Sequence, residues 1–138
     1  MHRHNERGIT LIELMVVMVV VAILAAIAYP SYRQQTIRSN RATAKVALTQ
    51  AAQALDRCFT RFSAYDDAGC GPATALEDGA DPTVEGFYTI SGAVDATTYT
   101  LSAIPQGGQA DDSCGTLTLT QTNVKGSSGG NAGECWRR

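Results

Sequence analysis

Every residue from Leu14 to Ala28 is uncharged and apolar, and the run extends with few interruptions from Ile9 to Tyr29. Those about 21 residues span roughly 31 Å as an α-helix, the thickness of a bilayer core. A helix apolar on all sides must be covered by lipid or by other protein. One carboxylate, Glu13, sits inside the front of this stretch. A charge in a membrane span costs about 2.5–3.5 kcal/mol on insertion scales, so its presence points to a function.

An ordinary secretory signal has a shorter apolar core, followed by a small-residue cleavage site. Here Ala26-Ile27-Ala28 is followed by Tyr29-Pro30, a poor place to cut. A short charged leader, Met1 to Gly8, ends instead in glycine before the apolar run. Arg3 and Arg7 precede the span, which puts the N-terminus in the cytoplasm. The junction Gly8-Ile9-Thr10-Leu11-Ile12-Glu13-Leu14 resembles the class III prepilin leader and N-terminal segment of type IV pilins and pseudopilins. The resemblance implies cleavage after Gly8 by a prepilin peptidase and methylation of the new terminus at Ile9. The family usually begins its mature chain with phenylalanine; Ile9 keeps a bulky apolar residue there. The chain thus divides into a leader (1–8), a membrane or filament-core half of a helix (9–29), and a periplasmic or extracellular head (30–138).

Loss of the leader removes two arginines and one glutamate, taking the formal charge from −2 to −3. That balance gives no global attraction for nucleic acid or anionic lipid. Cations such as Arg33, Arg38, Arg41 and Lys45 follow the span, and most carboxylates come later. Between self-associating copies, such opposite patches can steer and register neighbours. The head's four cysteines argue for two disulfides in an exported domain, although four cysteines permit three connectivities. Cys58–Cys70 with Cys114–Cys135 is favoured because it closes two local loops, each worth about 3 kcal/mol. No metal site is expected: there is no CxxC pair, and both histidines lie in the leader.

Helical periodicity continues beyond the apolar run. Ile37, Ala44, Leu48, Ala51, Leu55 and Phe59 recur at intervals of three, four or seven, with Arg33, Arg41, Lys45, Gln53 and Arg57 largely between them. One helix from about Ile9 to Phe62 is predicted, on the order of 80 Å long. Pro30 removes the hydrogen bond back to Ala26 and should kink or loosen it. The pilin resemblance implies a place where the helix melts on packing into a filament. From Ser63 to Glu85 the composition predicts loop and turn. Phe87–Ile90, Thr98–Ile104 and Thr116–Thr120 read as strands, with Tyr99, Leu101, Ala103, Leu117 and Leu119 facing inward. Their alternation predicts an α+β fold: a small antiparallel sheet packed on the amphipathic half of the long helix. Gly126-Ser127-Ser128-Gly129-Gly130 reads as too flexible for a regular element.

No catalytic constellation is present in the sequence. The mature chain lacks histidine, and the pairs Asp66-Asp67 and Asp111-Asp112 read as solvated turns in glycine-rich loops. No cofactor is expected. Glu13 is the foremost functional candidate, since a carboxylate four residues from a new α-ammonium can compensate its own terminus or a neighbour's. The resemblance implies the second, with Glu13 meeting the terminus of the adjacent subunit during assembly.

The resemblance extends over the chain through Asp95-Ala96-Thr97-Thr98-Tyr99-Thr100-Leu101, Cys114-Gly115-Thr116-Leu117-Thr118-Leu119, Lys125-Gly126 and Cys135-Trp136, which look like PilE-like minor pilins. It implies a structural subunit of a type IV pilus serving pilus biogenesis, twitching motility or adhesion. Its partners would be other pilins, the prepilin peptidase, an inner-membrane assembly platform and, before assembly, membrane lipid. A type II secretion pseudopilin is the first alternative. A DNA-uptake receptor is the second, resting on Lys125, Trp136, Arg137 and Arg138. It ranks lower because backbone binding needs a broader basic surface.

Overall fold

A computed structural model describes residues 8–77, 81–82 and 86–137. The chain forms two compact units, the first ending at Thr36 and the second beginning at Ile37. One helix, α1 (Leu11–Phe62), contributes to both. Thr10 starts it: its side-chain oxygen accepts the Glu13 N–H at 3.3 Å, and its carbonyl accepts the Leu14 N–H at 3.2 Å. Thr10 and Glu13 have the spacing of a capping box, with Glu13 in the first turn, where the helix dipole favours a negative charge. The chain is helical on both sides of Pro30. From residue 8 to residue 35 every side chain is exposed.

The second unit is a helix-on-sheet layer. After α1 come α2 (Gly71–Glu77), β1 (Asp81–Pro82), β2 (Tyr88–Val94), β3 (Tyr99–Pro105), a 3₁₀ turn (Gly107–Asp111), β4 (Leu117–Thr120), β5 (Lys125–Ser127) and α3 (Ala132–Trp136). The strands form an antiparallel meander in sequence order. Leu101 stands opposite Gly92 on β2 and Leu119 on β4. The core joins Ala44, Leu48, Ala52 and Leu55 of α1 to Tyr88, Ile90, Tyr99, Leu101, Ala103, Leu117 and Leu119 of the sheet. The alternation read from β3 and β4 therefore gives the buried face correctly.

Three local expectations are corrected. The segment from Ser63 to Glu85 is not all loop, because α2 forms where Ala73 and Leu76, three residues apart, reach the core. Pro72 is tolerated in the first helical turn, where its missing N–H has no helical partner to lose. Residues 78–80 and 83–85 of that segment lie outside the described residues. Lys125–Ser127 is a strand paired with β4, because Gly126 admits close approach: a Cβ there would lie 2.4 Å from Thr118 Oγ1. Finally, the buried line of α1 is Asn40, Ala44, Leu48, Ala52, Leu55 and Cys58, with Ala51 half-buried and Phe59 38% exposed. Phe59 instead packs on Tyr65, with ring centroids 4.7 Å apart.

Candidate assembly segment and disulfide-bounded region

The first unit presents an unbroken apolar sleeve. Ile9, Leu11, Ile12 and Leu14 through Leu24 are exposed, as are Ile27, Tyr29 and Tyr32. Among the described residues, α1 is the one helix long and apolar enough to cross a membrane. Apolar surface on this scale marks a membrane or protein interface. Glu13 stands exposed within it, in the first turn of the helix, four residues after Ile9. Gly8 and Ile9 precede the helix in exposed, non-helical chain, and a Cβ added at Gly8 would meet open space. The rest of the leader lies outside the described residues.

In the second unit a polar cluster crosses the layer between α1 and the sheet. Asn40 Nδ2 donates to Gln109 Oε1 at 3.0 Å, and Gln109 Nε2 donates to the Ile37 carbonyl and to Tyr88 Oη, both at 3.0 Å. Tyr88 Oη donates to Asp112 Oδ2 at 2.7 Å, and Arg41 grips the same carboxylate through both Nε and Nη2. Cys114 N–H donates to Asp112 Oδ1 at 2.9 Å. Burial by itself would raise the Asp112 pKa. The hydrogen bonds from Arg41, Cys114 and Tyr88 outweigh it and hold the carboxyl below its ordinary value. Tyr88 is shifted the other way, upward, by burial and by the Asp112 carboxylate. Asp112 is therefore a buried hub and not a solvated turn, which corrects the reading of Asp111-Asp112. Its neighbour Asp111 is exposed. The sequence carried one faint sign of the hub: Asn40 stands four residues before Ala44, on the buried stripe.

Disulfides bracket both ends of this unit. Cys58 joins Cys70 with Cα atoms 5.6 Å apart, tying the end of α1 to the start of α2. Cys114 joins Cys135 at 5.8 Å, closing a loop around β4, β5 and α3. Asn131 caps α3 by accepting the Glu134 N–H. Trp136 Nε1 donates to the Gly126 carbonyl at 2.9 Å, while the Lys125 ammonium lies 5.4 Å from the Trp136 ring centroid. Lys45 Nζ donates to the Arg137 carbonyl at 2.9 Å, fastening the chain's end to α1. Lys125 and Trp136 thus have structural work in the fold. Arg138 lies outside the described residues. Among the described residues no cluster of potential metal ligands occurs.

Comparison with known families gives two matches. Residues 30–118 match the family described as "Type IV minor pilin ComP, DNA uptake sequence receptor", and residues 3–29 match the prokaryotic N-terminal methylation motif. A search of curated proteins gave no match. Among solved structures, a type IV pilin from Shewanella oneidensis is similar at 28% identity and a TM-score of 0.52, covering 74% of this chain and 99% of that one. The non-core minor pilin PilV of Neisseria meningitidis shares the fold at 16% identity and a TM-score of 0.54, covering 70% of this chain and 91% of that one. With an exposed apolar helix carrying the methylation motif and a disulfide-bracketed helix-on-sheet unit matched over most of its length, the chain belongs to the type IV minor pilin family.

Proposed function

We propose that this minor pilin waits in the bacterial inner membrane with its N-terminus in the cytoplasm and is then drawn into an extracellular filament through its N-terminal helix. A prepilin peptidase cuts after Gly8 and methylates the amine of Ile9, and an inner-membrane platform hands the subunit to other pilins. The observation that carries this reading is the exposed apolar sleeve of α1 with Glu13 as its one carboxylate. Lipid can cover the sleeve before assembly, and the helices of neighbouring pilins can cover it afterwards. In the filament, Glu13 of one subunit meets the terminal ammonium of the next, a pairing that fixes register where a lone charge would be costly. Mass spectrometry of protein sheared from filaments should give a chain starting at Ile9 with a methylated amine. An intact leader, or a start after Ala28, would overturn the proposal.

A second reading, as a DNA receptor, is favoured by the description of the matched family. Arg38, Lys45 and Arg137 line a groove of about 510 Å³ that also holds Glu134 and the Asp112-bound Arg41, and its three other cations give phosphate groups a place to bind. Duplex DNA should then bind with an affinity that falls steeply with salt, and Arg38→Ala should flatten the salt slope by about one unit. Binding that ignores salt or this substitution would remove the reading and leave the pilin assignment standing.

A further inference from the structure

A second groove, of about 390 Å³, runs between α1 and the β4–β5 hairpin. Its α1 wall extends from Lys45 to Asp56, roughly 16 Å along the helix at 1.5 Å per residue. Three amides line it: Gln53 from α1, and Gln121 and Asn123 from the hairpin turn. None of the three amide side chains makes a hydrogen bond among the described residues. Asn123 is held there with φ of 60°, a left-handed conformation that asparagine tolerates, and its N–H is tied to the Thr120 carbonyl at 2.9 Å. One end of the groove carries Lys45, Lys125 and the Trp136 ring, and the other carries Asp56 and Tyr99.

From this arrangement we propose that the groove binds a short acidic oligosaccharide. Side-chain amides both donate and accept, which suits the hydroxyl groups of a sugar. The ammonium groups of Lys45 and Lys125 suit a sugar carboxylate, through charge-assisted hydrogen bonds. Trp136 supplies an apolar ring at the same end, its Nε1 already bonded to the Gly126 carbonyl. Burial, and after it the charge of Arg41, lowers the pKa of Lys45, so a ligand carboxylate would stabilise a cation that the fold leaves partly desolvated. A peptide strand fits less well, because the Gly126 carbonyl on β5 is already taken by Trp136. The apolar residues Ala52 and Leu119 in its lining are themselves buried and offer little surface to a peptide side chain.

Trp136 is the only tryptophan in the chain, so its emission reports directly on this groove. The test titrates the full chain, in a detergent without sugar headgroups, with tetragalacturonate, neutral cellotetraose and hexaglutamate at equal ionic strength. A saturable emission change with tetragalacturonate is expected, a weaker one with cellotetraose, and none with hexaglutamate. Gln53→Ala and Asn123→Gly should each weaken tetragalacturonate binding by about fivefold, the loss of roughly one hydrogen bond, without changing Tm. Lys45→Ala should bring the acidic sugar down to the level of the neutral one. A stronger response to hexaglutamate would reassign the groove to acidic peptides. No response to either sugar, or a sugar response indifferent to Gln53→Ala and Asn123→Gly, would overturn the proposal, and none of these results bears on the pilin assignment.

Discussion

The Asp112 carboxylate accepts hydrogen bonds from Arg41, Tyr88 and the Cys114 backbone, and its side chain is closed off from solvent. Asp112→Ala would leave those buried donors without an acceptor, and a loss of about 2–4 kcal/mol in chemical denaturation is expected. Asp112→Asn keeps the shape and one acceptor oxygen, so it should cost less. The pH dependence has a definite sign. Because the folded state holds this carboxyl below its ordinary value of 3.8, its contribution to stability is complete above that value. It is lost as the pH falls through the lower folded value. Denaturation midpoints at pH 7 and pH 3 should therefore differ more for the natural protein than for Asp112→Asn. Equal differences would mean that Asp112 does not govern the acid response. Sequence reading treats Asp111-Asp112 as one feature, because two adjacent aspartates near glycine look alike. Only the fold, by placing Arg41 and Tyr88 against the second of them, separates a surface charge from a buried hub.

Elements with strict periodicity are legible in the sequence, and elements set by close backbone approach are not. α1 and the inward faces of β3 and β4 follow from spacing alone, since three- and four-residue intervals or strict alternation leave one buried face. β5 escapes the same reading because Lys125, Gly126 and Ser127 bear no apolar alternation. That strand pairs with β4 where Gly126 approaches the Thr118 side chain closely, and Trp136 bonds its carbonyl. Pilin resemblance, more than spacing, carries the reading of Glu13 and Gly8, for physical chemistry alone says that a charge is costly there and not what relieves it. The disulfide-bounded loop depends on a second close approach. A Cβ on Gly129 would lie 2.4 Å from the Ser113 carbonyl oxygen, a backbone atom that cannot swing aside, whereas Gly71 faces open space. Gly129→Ala should therefore destabilise the second unit by about 1–3 kcal/mol, while Gly71→Ala should leave it unchanged within about 0.5 kcal/mol. Thermal melts of the two variants, compared under non-reducing conditions, check this. A neutral Gly129→Ala would mean that the β5–α3 segment relaxes freely around the bridge.

For the whole molecule, the decisive question is whether Glu13 serves its own helix or a neighbour's. Its position in the first turn, with its N–H bonded to Thr10 Oγ1, gives a local account: the carboxylate complements the helix dipole, worth about 0.3–1 kcal/mol. An assembly role asks much more of it, because the ammonium of an adjacent subunit would otherwise enter an apolar core unpaired, at a cost of several kcal/mol. Two substitutions separate these accounts. Glu13→Gln keeps the polar side chain of a capping box and removes the charge, and Glu13→Val removes both. Both should insert into the membrane as well as the natural protein or better, since each removes a costly charge from the span. Cleavage at Gly8 should persist in both, because the leader and the glycine are unchanged. If Glu13 pairs with a neighbour, both variants should fall sharply in sheared filaments relative to the membrane fraction, and Gln should rescue little. If its role is local capping, Gln should enter filaments nearly as well as Glu. The comparison must be made with the major pilin at native levels, so that its contacts are available to a minor subunit. Entry of Glu13→Val at the natural level would show that this carboxylate makes no assembly contact, and that the apolar sleeve alone brings the subunit into the filament.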